Sequence, residues 1–277
     1  MYATVKTIYH TQLELLRALK EPFAPMAHST LNEKFNIAAN ETLPVDTYPE
    51  FKWIAIGRGG HRGRITGDGL TVIDVLQHNI THAALYEHIP FIVREVNDDL
   101  TAVERDKYGM RTLVERDGVQ YFAYYLMKMD YVNTFPVVNE LLVENGEVTT
   151  TEYTAVPAQL NPTPIPYSNT IANDATGLHL SVASTLELSL DKTAIEEIIN
   201  AVEVLYGDVS YAVISEVATV TGISSVYDTT LGGVNVSYNE VLAAQIANHI
   251  PTNIDLKFTT ESINQQYSLG YTSPFIR

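Results

Sequence analysis

Near the start of the chain, apolar residues Val5, Ile8, Tyr9, Leu13, Leu16 and Leu19 recur at helical spacing, and Pro22 and Pro25 end the pattern. Side chains three or four apart share one face of an α-helix, so a first helix is predicted over residues 4–20. After a polar stretch the pattern changes to Phe51-Lys52-Trp53-Ile54-Ala55-Ile56, which reads as a strand. It leads into a glycine-rich segment, Gly57-Arg58-Gly59-Gly60-His61-Arg62-Gly63-Arg64, read as a loop. Leu70, Ile73, Leu76, Ile80, Ala84 and Leu85 return to near-helical spacing and predict a helix within residues 70–89. The charged stretch 98–108 continues as a short helix.

Two hairpins follow. Asp117-Gly118 separates apolar runs at 111–115 and 119–129, and Asn145-Gly146 separates 141–143 from 148–153. Asn-Gly and Asp-Gly pairs supply the positive φ that tight hairpin turns need. Pro157, Pro162, Pro164 and Pro166 then disfavour both helix and central strand and predict an extended connector. Beyond it, alternation of Leu178, Leu180, Val182, Leu186, Leu188 and Leu190 predicts a strand. Thr193-x-x-Glu196 reads as a capping box for a helix that buries Ile195, Ile198, Ile199, Val202 and Leu205 and closes at Gly207. Residues 211–221 read as a buried strand. Ser237-x-x-Glu240 opens a helix to about His249, and 254–259 form a last strand.

The elements add up to an α+β fold with mixed or antiparallel sheets, β-hairpins and several amphipathic helices, in two regions joined by a proline-rich connector. The expected division is an N-terminal α+β region over 1–135, the hairpin and connector over 136–175, and a C-terminal α+β region over 176–277.

Charge narrows the function classes. Lys and Arg total 17 against 33 Asp and Glu, a formal charge of −16, which repels phosphate backbones and argues against specific nucleic-acid binding. The absence of cysteine removes disulfides, thiolate metal sites and a cysteine nucleophile. No apolar run approaches the roughly 18 residues of a membrane span, and residues 1–6 lead into an amphipathic stretch, so neither membrane insertion nor secretion is expected. Seventeen tyrosines beside one Trp favour interfaces, where a ring is buried and its hydroxyl stays polar.

Candidate chemistry is sparse. His78 and His82, four apart on the predicted helix, form half of a zinc site with His88 as a third ligand, but Asn79-Ile80-Thr81 lacks the glutamate that would make such a helix hydrolytic. Ordinary surface or core histidines are the simpler reading. Arg58, Arg62 and Arg64 in the glycine-rich segment suit either an anion or the carboxylates of a neighbouring subunit; the segment matches neither the Walker pattern nor the dinucleotide fingerprint, so the interface reading is preferred. Asp98, Asp99, Glu104 and Asp106 sit among Arg94, Arg105 and Lys107, the pattern of a solvated helix with local ion pairs. Ser215-Glu216 has no nearby histidine in sequence to act as a base. No catalytic residue, metal or cofactor is therefore expected.

The segments 86–95 (Tyr-Glu-His-Ile-Pro-Phe-Ile-Val-Arg-Glu) and Glu104-Arg105-Asp106-Lys107-Tyr108, the strand from Tyr121 to Leu126, Leu205-Tyr206-Gly207-Asp208 and Ile214-Ser215-Glu216-Val217 together resemble uncharacterised virion structural proteins of tailed bacteriophages. The resemblance implies a tail, baseplate or neck component without enzymatic activity. Such a part is assembled in the host cytoplasm and incorporated in the virion, with copies of itself and other virion proteins as partners. A capsid-surface or receptor-facing protein and a histidine-metal hydrolase are the competing readings.

Overall fold

The computed structural model describes residues 4–39, 41–69, 71–162, 164, 178–231, 234–258 and 262–274. In chain order the elements are β1 (Val5–Lys6), α1 (Ile8–Leu19), α2 (Leu31–Phe35), β2 (Glu50–Gly57), β3 (His61–Ile65), β4 (Thr71–Val75), β5 (His88–Ile89), β6 (Ile92–Glu95), α3 (Ala102–Arg105), β7 (Tyr108–Arg116) and β8 (Val119–Lys128). They continue with β9 (Asp130–Glu144), β10 (Glu147–Glu152), β11 (Leu178–Leu190), α4 (Lys192–Tyr206), β12 (Val213–Leu231), β13 (Val234–Asp255) and β14 (Ile263–Pro274). The fold is α+β with antiparallel sheets, and strand outweighs helix, 49% to 21%.

The chain forms two compact units. Unit 1 takes residues 1–129 and 190–263; unit 2 takes 130–189 and 264–277. These units cut the chain differently from the three consecutive regions expected, because the last third of the chain returns to the first.

Unit 1 is organised by a sheet in the order β1-β13-β12-β2-β8-β6, with β5 also on β2 and β7 also on β8. From Trp53 to Gly57 every residue of β2 is buried, as is every residue of β13 from Glu240 to His249. Burial on both faces favours continuous apolar stretches, Trp53 to Ile56 in β2 and Val241 to Ala244 in β13, with Glu240, Gln245, Asn248 and His249 buried among them. Trp53, Met110, Leu126, Val220, Val241 and Ile246 form the core, with Leu31 of α2 and Ala201 of α4 packed in. Each such large side chain contributes about 1.5–3 kcal/mol on burial.

Local chemistry places the helices on this sheet. Thr7 Oγ1 accepts from His10 N at the start of α1 and donates to Ile246 O of β13 at 2.6 Å. Asp191 caps α4 by accepting from Ala194 N, two positions before the Thr193 capping box read from the sequence, and Gly207 ends the helix with φ 76°. A bulge sets two β13 residues, Ala243 and Ala244, between partners Thr221–Gln245 and Ile223–Leu242, and Ala243 takes φ 48°. Bulging leaves backbone groups out of the ladder. The buried Asn32 side chain takes them up, donating to Val241 O at 2.8 Å and accepting from Ala244 N at 2.8 Å.

Unit 2 is a four-stranded sheet in the order β10-β9-β11-β14. Both predicted hairpins form, β7–β8 in unit 1 and β9–β10 here, with Asp117, Gly118, Asn145 and Gly146 all at positive φ.

Two predicted helices are strands. The segment after Ser237 is β13, where complete burial removes any period that distinguishes helix from strand. The predicted helix at 70–89 is instead β4, then an irregular segment, then β5; Ile73, counted toward the helical face, lies 63% exposed on the β3–β4 hairpin. The supposed loop 57–64 contains the end of β2 and most of β3. Most of the expected proline connector lies outside the described residues, apart from a 3-10 turn at Pro157–Leu160.

Candidate functional site

A buried group of ionisable side chains in unit 1 lies where β2, β12 and β13 meet the segment between β4 and β5. Ser215 interrupts the β12–β13 register between Ile214 and Glu216, and this irregularity brings two consecutive polar residues, each 1% exposed, to the rim of the sheet. A buried carboxylate is stable only if its lone pairs are taken up. Glu216 Oε1 accepts from Gly59 N at 2.9 Å and Glu87 N at 3.1 Å, and Oε2 accepts from Tyr86 N at 3.1 Å and His78 Nε2 at 2.8 Å. The sequence placed no histidine near Ser215-Glu216; the fold brings His78 to it across 138 residues.

Here the glycines find their use. A Cβ on Gly57 would lie 2.6 Å from Glu87 O, on Gly59 2.6 Å from Tyr86 Cβ, and on Gly60 2.5 Å from Ser215 O. The run is glycine-rich because two stretches of backbone close onto one carboxylate, with Gly60 N donating to Ser215 Oγ at 2.8 Å.

His78 stacks between Tyr86, with ring centroids 4.2 Å apart, and His249 at 3.8 Å and 7°. Its Nδ1 meets His82 Nδ1 at 3.1 Å, Asn79 N also points at His82 Nδ1, and His249 Nε2 donates to His82 O at 2.9 Å. The His78–His82 pair is thus real, but a turn makes it rather than a helix. His88 lies apart, fully buried against Phe35 and accepting from Leu85 N at 3.0 Å. Burial pulls His249 down from the ordinary 6.5 to about 4 and His88 to about 3, and lowers His82 as well; the neighbouring His78 adds to each shift. Among the described residues, no group of three or more His, Asp or Glu side chains is arranged to hold a metal ion. The crevice beside the cluster, lined by Gly60, Leu76, His78, Ser215, His249 and Pro251, has no interior space for a water molecule.

The chain belongs to DUF7208, a family of unknown function whose model matches residues 1–277. No curated protein and no solved structure matches it.

Within this DUF7208 chain the three arginines of the glycine-rich segment part company. Arg58 is turned inward: its guanidinium lies over Tyr206 at 4.2 Å and Tyr211 at 4.4 Å and pairs with the Glu87 carboxylate, joining the β2–β3 turn to the end of α4. Arg64 is exposed and holds Asp74 across the hairpin through two bonds, at 2.8 and 3.3 Å. Arg62 is exposed opposite Asp74 in the β3–β4 register. The acidic stretch also resolves into structural pairs. Asp99 accepts from Arg105, from Arg111 at 2.7 Å and from the Tyr124 hydroxyl at 2.6 Å; Arg94 reaches Glu197 of α4; Asp106 pairs with Lys128. Glu104 caps α3 through Thr101, and Asp98 closes the 3-10 turn Val96–Asp98.

Pattern reading missed Glu216, His249 and Tyr86 as one cluster. Its only trace in sequence is a carboxylate, the single charged residue inside the stretch 211–221. Chemically the arrangement is a clasp: each oxygen of Glu216 accepts two hydrogen bonds, and the carboxylate ties the segment between β4 and β5 to the sheet.

Proposed function

We propose that this chain is a structural component of a tailed-bacteriophage virion, a tail, baseplate or neck part that acts through contacts with copies of itself and with other virion proteins. The sequence resemblance supplies the class. The observation that carries the assembly reading is the amount of strand edge left open. Beyond Ser225 and Glu240, β12 and β13 pair only with each other among the described residues, β3 and β4 form a separate two-stranded ribbon, and β10 stands at the edge of its sheet. Open edges are templates for pairing with another chain.

Two further features support the reading. The net charge of −16 keeps such a part from gripping nucleic acid that passes it. Both ring nitrogens of His78 are taken up within the protein, Nε2 by Glu216 and Nδ1 by His82, and His249 Nε2 donates to His82 O. No helix among the described residues is long and apolar enough to cross a membrane.

Mass spectrometry of purified infectious particles should find the chain at a fixed copy number, and imaging should place its density in the tail, baseplate or neck. Density on the capsid surface would favour the receptor-facing alternative, and absence from particles would overturn the proposal. Elemental analysis giving about one zinc per chain, lost in His78→Ala, would replace it with the hydrolase reading.

A further inference from the structure

The β3–β4 ribbon has two unlike faces. Successive side chains of a strand point to opposite sides, and the register His61–Val75, Gly63–Ile73 and Ile65–Thr71 therefore puts Ile65, Ile73 and Val75 on one face. Arg62, Arg64, Val72 and Asp74 share the other. Ile65 is 75% exposed and Ile73 63%, and the position of a Cβ on Gly63 is open space, so nothing described in the chain covers the apolar face. A two-stranded ribbon with a bare apolar face is marginal in water without a further strand or layer. With two arginines against Asp74, the polar face carries net positive charge in a chain whose total is −16.

The edge of the unit 2 sheet repeats this pattern with the charge reversed. Across β9–β10, Val148 pairs with Val143 on one face, and Glu147 pairs with Glu144 on the other. All four are exposed, as is all of β10, which bonds on one side only among the described residues.

We propose that β3 of one copy adds as a fifth strand to the β10 edge of a second copy, setting Ile65 and Ile73 beside Val143 and Val148, and Arg62 and Arg64 beside Glu144 and Glu147. The five residues of β3 and six of β10 are matched in length. Backbone bonds along the new edge give affinity, and the two faces fix which side is which. Donor and acceptor edges differ, so each copy both gives and receives, either reciprocally in a two-fold pair or head to tail in a ring or filament. The inference rests on the assembly reading and names its surface.

Charge reversal tests it on the full chain. One variant carries Arg62→Glu and Arg64→Glu; a second carries Glu144→Lys and Glu147→Lys. All four positions are exposed, so the thermal unfolding of the Glu144→Lys, Glu147→Lys variant should match the parent, and that of the Arg62→Glu, Arg64→Glu variant, which loses the exposed Arg64–Asp74 pair, should fall by no more than a few degrees. By sedimentation at rising concentration, the parent should self-associate and each variant alone should do so at least about 10-fold more weakly. A mixture of the two should recover association, because each mismatched edge then finds a complement on the other chain. Association of both variants at parental strength overturns the edge contact and leaves assembly by another surface standing. Recovery in a single chain bearing all four changes, without recovery in the mixture, overturns it in favour of pairing within one chain. A parent that stays monomeric to millimolar concentration overturns self-docking, and the assembly reading falls with it only if the chain is also absent from particles.

Discussion

In unit 1, β2 and β13 carry stretches in which every side chain is buried, whereas in unit 2 β10 is exposed along its whole length. What differs is what covers them. Unit 1 lays α2 and α4 on its core and supplies partners at two buried points, Asn32 at the bulge and four donors on Glu216. Unit 2 has no α-helix among its described residues and leaves Val143 and Val148 in solvent, 41% and 60% exposed. A layer that cannot cover itself leaves burial to be completed by something else. Unit 1 should therefore behave as a self-sufficient body whose stability depends on internal chemistry, and unit 2 as a surface whose substitutions register in association.

Acid should separate the two most strongly. His88 and His249 lie in unit 1 with folded pKa values of about 3 and about 4. Between pH 6.5 and 4 the unfolded chain binds protons that the folded one refuses, so stability falls as pH falls. A histidine held from 6.5 to about 4 contributes roughly 3 kcal/mol over that window. Trp53, the only tryptophan, is buried in unit 1, and its fluorescence should report unfolding of that unit before pH 4 is reached. A flat unfolding midpoint from pH 7 to 4 would contradict the burial argument.

Glu216→Gln comes next. The amide keeps the size but turns NH2 toward backbone donors, and unit 1 should lose about 3–5 kcal/mol in denaturant titrations followed at Trp53. Asn32→Ala strands Val241 O and Ala244 N at the bulge and should remove about 2–4 kcal/mol by the same readout, with faster hydrogen exchange at Ala244. The smallest effect is expected from Val148→Thr, which keeps the branched shape on an exposed edge. It should change unfolding by no more than about 0.5 kcal/mol while weakening self-association. A large loss of stability there would mean that unit 2 covers its sheet after all.

Much of this protein is written locally in its sequence. Asp117-Gly118 and Asn145-Gly146 specify their hairpins because few other residue pairs accept positive φ at both positions. The spacing from Ile8 to Leu19 specifies α1, although Val5, counted with it, belongs to β1 and the helix starts behind the Thr7 cap. Gly207 closes α4 because it too accepts positive φ. These features depend on neighbours a few residues away, and pattern reading finds them. The segment from Val241 to His249 could not be read in this way. Its strand conformation comes from β12 and β1 on either side, and burial of every position leaves no period to read. The clasp is equally remote from local rules. His78, Tyr86, Glu216 and His249 are ordinary residues until the β2–β12 register sets Gly57 opposite Glu216 and closes the glycine turn over the carboxylate. Arg58 and Arg62, four positions apart, look alike in the sequence, yet one is held between Tyr206 and Tyr211 and the other is exposed. Residue type states which bonds a group requires, but only long-range pairing of the backbone supplies the partners, because desolvation is settled by what arrives from elsewhere in the chain.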